Sequence, residues 1–96
     1  MNGLIPEIYL LFYCKFRRHS ILGAIKTTEA LNILSHSFRC HKLMRHAILK
    51  EMESFGLVEH VSNEQIKLLK VPERKLTRVE WIIEMEEARN RKVVWE

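Results

Sequence analysis

The chain has 96 residues, 47% of them hydrophobic, and a formal charge of +4. That is apolar enough to fold and long enough for one small domain, which excludes a disordered tail and a multidomain assembly. Three glycines and two prolines argue against an all-β design and for helices joined by short turns.

The first predicted helix starts near Pro6, a residue suited to a first helical turn. It runs through Ile8, Tyr9, Leu10, Leu11, Phe12, Tyr13 and Phe16 to Arg17 and Arg18. It is apolar almost all round, so it needs cover on more than one side. Lys15, Arg17 and Arg18 complement the helix dipole, and Gly23 falls in the following connection. Thr27 or Thr28 is the expected cap of a second helix, with Glu29 in its first turn and Ala30, Leu31, Ile33 and Leu34 on its buried side. Ser35-His36-Ser37 ends it, and a short link around Ser37 to Cys40 makes an αα-hairpin of the helix-turn-helix kind.

A third helix is predicted within Arg39 to Val58 and is the most informative part of the chain. At about 100° per residue, Leu43, Met44, Ala47, Ile48, Met52 and Phe55 gather on one side. Lys42, Arg45, His46 and Lys50 gather on the other, with Leu49 among them as an exposed apolar residue. Glu51 and Glu53 break the pattern, but no acid occurs from Ala30 to Lys50. Gly56 sits where a helix needs a left-handed closing residue. Leu57 to Val61 and Gln65 to Val71 then read as strands around a Ser62-Asn63-Glu64 turn.

Pro72 breaks the chain, and Glu73-Arg74-Lys75 reads as a polar connector. Thr77-Arg78-Val79-Glu80 matches a capping box, so a last helix is expected from there to about Arg91. Its acids come first and its bases last, and Glu87 and Arg91 are spaced for an i,i+4 pair. Glu80, Glu84 and Glu87 are expected on its wet face. Val79, Trp81, Ile82, Ile83, Met85 and Ala88 form a wide apolar surface, which either packs on the first helix or pairs with a second subunit. Together the two helices offer more apolar surface than a small monomer needs, so a homodimer through Trp81, Ile82, Ile83 and Met85 is expected, with Val93, Val94 and Trp95 extending it or docking as a tail.

Charge is uneven. Residues 1–57 hold eight Lys and Arg against four acids, while residues 58–96 hold eight of each. The surplus is therefore confined to the first part, as a footprint for an anionic partner requires. Cys14 and Cys40 form no CxxC pair and suit reduced thiols in a cytoplasmic protein. The apolar run Ile8 to Cys14 is too short to span a membrane, and no basic region precedes it, so neither a membrane partner nor a signal peptide is expected.

The order helix, helix, helix, hairpin, helix resembles the winged helix-turn-helix superfamily. Thr27-Thr28-Glu29-Ala30-Leu31 looks like the start of that family's second helix. Ile48-Leu49-Lys50-Glu51-Met52-Glu53 looks like the end of its recognition helix, and Phe55-Gly56-Leu57-Val58 like its entry into the wing. The implied fold is mainly α with a small β-hairpin: a winged helix-turn-helix domain over 1–72 and an added C-terminal helix over 73–96 for packing or dimerisation. In that family the third helix lies in the major groove of double-stranded DNA. Carried over, Lys42, Arg45, His46 and Lys50 would face DNA. Arg39 would grip a phosphate, and Thr27 and Thr28 would offer hydroxyls or amides to the backbone. Arg45 could read guanine, and Leu49 could touch a thymine methyl. The turn Ser62-Asn63-Glu64 carries no base, so the hairpin's contribution falls to Lys67, with Lys70 beyond it.

The resulting expectation is a DNA-binding transcription regulator. An RNA-associated module and a protein-binding adaptor are the alternatives, because some winged helices take those partners. His36-x3-Cys40 and His41-x4-His46 form no recognised zinc pattern, so no metal is expected, and no cofactor. No glycine-rich phosphate loop, nucleophile elbow or clustered carboxylate site appears, so no enzymatic activity is expected.

Overall fold

The computed structural model describes the backbone of residues 5–95 and the side chains of residues 5–89. Helix α1 spans Glu7–His19, with Glu7 in its first turn and Arg17, Arg18 and His19 in its last. Ser20 closes it, donating from both its amide and its hydroxyl to the Arg17 carbonyl. Ile21 and Ala24 then exchange both backbone hydrogen bonds across Leu22 and Gly23, whose φ angles of 55° and 80° are left-handed. This is the geometry of a type I′ turn. It delivers the chain into a short strand, β1 (Ala24–Lys26), which the sequence pattern did not suggest. Three residues are too few to show alternation, and the strand's partner lies about forty residues downstream.

Helix α2 spans Thr27–Ser37. Lys26 is its cap residue and no side chain caps it, so the expected threonine cap is corrected. The amide of Thr27 instead donates to the Glu64 carbonyl at 2.9 Å, tying the start of α2 to the hairpin. After Phe38 the chain turns through Arg39 at φ 54°, and the Cys40 amide returns to the Leu34 carbonyl. A 3-10 turn follows at Lys42–Met44, with the Leu43 amide donating to His41 Nδ1. Only then does α3 begin, over Arg45–Ser54. Gly56, at φ 79°, ends it. The amides of Gly56 and Leu57 donate back to the Glu53 and Met52 carbonyls, a Schellman closure of the expected kind.

Strands β2 (Val58–His60) and β3 (Gln65–Leu68) form the hairpin; β2 is one residue shorter at each end than the apolar pattern suggests, and β3 starts at Gln65 as expected but stops three residues early. The sheet is antiparallel in the order β1-β3-β2, with Ile66 opposite both Ile25 and His60. The result is a mainly helical fold with a small sheet. Helix α4 spans Glu73–Trp95 and starts directly after Pro72. Residues 73–75 are therefore its first turn rather than a connector, and Thr77 is inside the helix, its hydroxyl donating to the Glu73 carbonyl. Val93, Val94 and Trp95, and the side chain of Arg91 in its proposed pair with Glu87, lie outside the described side chains.

Among the described residues, one core joins α1, α2, α3 and α4 and the sheet. Phe12, Cys14 and Phe16 of α1 meet Ala30 and Leu34 of α2, Leu49 and Met52 of α3, Ile25 and Ile66 of the sheet, and Leu76, Val79 and Ile83 of α4. Helix α1 is thus covered on several sides, as its apolar circumference demands. Tyr13 donates to the Leu69 carbonyl at 2.6 Å, which satisfies its hydroxyl in a largely dry setting.

Candidate nucleic-acid interface

The phase of α3 decides which side chains can face a partner. A continuous helix from Arg39 would bury Leu43, Met44 and Ala47. The left-handed residue at Arg39 and the tighter 3-10 turn shift the phase before the α-helix starts. Arg45, Ile48, Leu49 and Met52 now form the inward row, at i, i+3, i+4 and i+7. Leu49 is 2% exposed, so its expected place on the charged face is corrected. Leu43 and Met44, expected inside, are exposed.

Arg45 is the second correction. It takes an inward position and its stem lies against α2, with Nη1 donating to Ser35 Oγ at 2.8 Å. Its Nε is buried without a hydrogen-bond partner among the described residues. The guanidinium therefore does not stand in the outward row with Lys42, His46 and Lys50, all of which are exposed.

His46 and Lys50 of the outward row lie beside the start of α2. Thr27, Thr28 and His46 line one hollow together with Lys26, Leu31 and Gln65. Thr27 and His46 also line an adjoining hollow that contains Lys50 and His60. The fold thus brings Thr27, Thr28, His46 and Lys50 together. Thr28 is exposed, and the Thr27 hydroxyl is buried without a partner among the described residues. Arg39 and Lys42 line neither hollow; both are exposed on the approach to α3. Lys67 is exposed on the same face of the sheet as Gln65, directly across from Glu59, and lines neither hollow. Lys26 and Gln65, opposite one another on β1 and β3, were missed by the sequence reading because β1 was missed.

Electrostatics narrow the footprint. Three of the eight bases before residue 58 face α4. Arg17 binds Glu73 at 3.2 Å and also Glu80; Arg18 binds Glu80 at 3.0 Å and Glu87 at 3.1 Å; Lys15 reaches Glu87 at 3.4 Å. Glu73, Glu80 and Glu87 recur every seven residues, which places them on one side of α4. Burial alone would raise the Glu80 carboxyl, but hydrogen bonds from Arg17 and Arg18 outweigh it and hold the pKa below the ordinary value. Glu80 and Glu87 are therefore not on a wet face, which corrects that expectation; Glu84 is exposed as expected. The bases left over in this region are Lys26, Arg39, Lys42, Arg45 and Lys50. None pairs with a carboxylate among the described residues.

No family model, curated protein or solved structure matches this chain.

Elsewhere, no group of three or more His, Cys, Asp or Glu among the described residues could hold a metal. Cys14 is fully buried, and burial, reinforced by nearby Glu80, pushes its thiol up to about 12. Burial also raises Cys40. No helix among the described residues is long and apolar enough to cross a membrane. Of the residues expected to mediate dimerisation, Ile83 is buried against the chain's own core and Ile82 is half-buried. Trp81 and Met85 are exposed.

Proposed function

We propose that this chain is a winged helix-turn-helix DNA-binding protein, acting as a transcription regulator in the cytoplasm. The observation that carries the reading is the outward row Lys42, His46 and Lys50, free of carboxylate partners among the described residues, with His46 and Lys50 set beside the start of α2. The element order supports the same reading, since β1 supplies the third strand and the β2–β3 hairpin stands where a wing would. The mechanism is binding rather than chemistry. Lys26, Lys42 and Lys50 attract phosphates, Thr28 adds a hydroxyl to the backbone, and the exposed row of α3 supplies any base contact. Leu43, 83% exposed, replaces Leu49 as the apolar side chain able to meet a thymine methyl. Arg45 braces α3 on α2 and reads no base.

Fluorescence anisotropy with a random duplex at two salt concentrations tests this. Wild-type affinity should fall steeply with salt. Lys42→Ala with Lys50→Ala should weaken binding and lower the log–log salt slope by about one unit per lysine removed. A double variant that binds like the wild type overturns the site. Competition with a structured RNA that displaces the duplex assigns the surface to RNA instead. Absence of salt-sensitive binding to either nucleic acid leaves the protein-adaptor reading in its place.

A further inference from the structure

Helix α4 carries two heptad rows. The first, Glu73, Leu76, Glu80, Ile83 and Glu87, faces α1, with Leu76 and Ile83 buried, Glu80 and Glu87 half-buried and the three acids paired to α1 bases. The second, Arg78, Trp81, Met85 and Ala88, lies on roughly the opposite side of a helix with 3.6 residues per turn. Trp81 is 60% exposed and Met85 49%, and neither belongs to the hydrophobic core. Spacing of three and four alternating is the pattern of a seam between helices. The sequence continues it at Lys92 and Trp95, beyond the described side chains.

Charges beside the seam select both the partner and its direction. Take Arg78 and Met85 as positions a, and Trp81 and Ala88 as positions d. Glu84 then occupies g and Arg89 occupies the following e. Two copies of α4 in parallel register set Glu84 of each against Arg89 of the other, giving two opposite-charge pairs per dimer. Antiparallel register, with Met85 against Trp81, sets Glu84 against Glu84 and Lys75 against Arg89. Both contacts are between like charges. Glu84 and Arg89 are exposed and enter no ion pair among the described residues. Parallel register also sets Arg74 against Arg74 and Arg78 against Arg78 at one end of the seam, but Arg78 is drawn off it by Glu7 of its own chain at 3.3 Å, and Arg74 is exposed in the first turn of α4. We infer that α4 pairs in parallel with α4 of a second copy of this chain along Arg78, Trp81, Met85 and Ala88, with Glu84 and Arg89 as reciprocal flanking pairs. This goes beyond the nucleic-acid reading and does not depend on it.

The test is made on the full chain without nucleic acid, so its outcome is separate from any binding result. Light scattering should give a mass of twice 11.5 kDa for the wild type. Trp81→Glu and Met85→Glu should restore the single-chain mass while keeping the native circular dichroism, because both side chains lie outside the core. Glu84→Arg should weaken the dimer by about tenfold or more, and Glu84→Arg with Arg89→Glu should recover it. Direction is read by crosslinking Ala88→Cys with Cys40 replaced by Ser, Cys14 being buried. In parallel register residue 88 meets its copy and an oxidised dimer forms; in antiparallel register the two lie about 15 Å apart along the seam and none forms. A single-chain mass for the wild type overturns the inference. So does a dimer that Trp81→Glu leaves intact, one in which Ala88→Cys does not crosslink, or one that the charge swap fails to recover.

Discussion

Leu22 is a fully exposed leucine held at φ 55°, beside Gly23 at φ 80°. A side chain with a Cβ costs about 1–2 kcal/mol in that left-handed region, and here no burial offsets it. Asparagine tolerates the region and Asn-Gly is the preferred pair for this turn. Leu22→Asn should therefore raise stability by about 0.5–1 kcal/mol, read as a higher urea midpoint with an unchanged slope. Position 45 shows the opposite situation, a strong donor placed inward for the sake of helix phase. The i, i+3, i+4, i+7 row of Arg45, Ile48, Leu49 and Met52 stands plainly in the sequence. It was obscured because Leu43 and Met44 invite the eye to start the helix too early. Gly56 was legible because only one kind of residue closes a helix easily in that conformation.

At the scale of elements, α1 and α4 are joined by an alternating ladder of three bases and three acids. Its central member is Glu80, whose folded pKa lies below its ordinary value of 4.5. A carboxyl shifted down contributes stability that is complete above its unfolded pKa and is lost as pH falls through the folded one. Stability should accordingly be flat near neutrality and decline below about pH 4.5. Glu80→Gln should lower the neutral-pH value by about 1 kcal/mol and flatten the acid limb, as seen in urea titrations across pH. High salt should shrink the difference between the two proteins. The ladder was only half visible beforehand. Every charge was in view, but heptad spacing of acids on one helix does not say whether it faces water or another helix. The apolar row interleaved with it, Leu76, Val79 and Ile83, was the available signal. The capping-box match at Thr77 hid it by starting the helix a turn late.

At the scale of the molecule, a single core of eighteen buried side chains among the described residues holds α1 to α4 and the three short strands. Phe16 is fully buried at its centre. Phe16→Ala should cost about 3–5 kcal/mol, a large share of the roughly 5–10 kcal/mol available to a domain of this size. The variant should lose most of its urea midpoint, or its cooperative transition altogether. Helix content, the order of the four described helices and the hairpin were legible because periodicity extends over ten residues or more in the helices and glycine marks the entry to the hairpin. Strand β1 was not, because its existence depends on β3 rather than on its own three residues. Lys42 and Lys50 were legible by charge. The hollow that sets Lys26 and Gln65 beside His46 was not, since it arises from that same long-range pairing.

The pairing of β1 with β3 and of α1 with α4 has a consequence for synthesis. The partners of Arg17 and Arg18 come 56 to 69 positions later in the chain. A nascent chain leaving the ribosome must carry its greasiest helix half-clothed until α4 has been synthesised. Holdase chaperones therefore have a long interval in which to meet this polypeptide, and stalling translation before Glu80 should leave a species prone to clump.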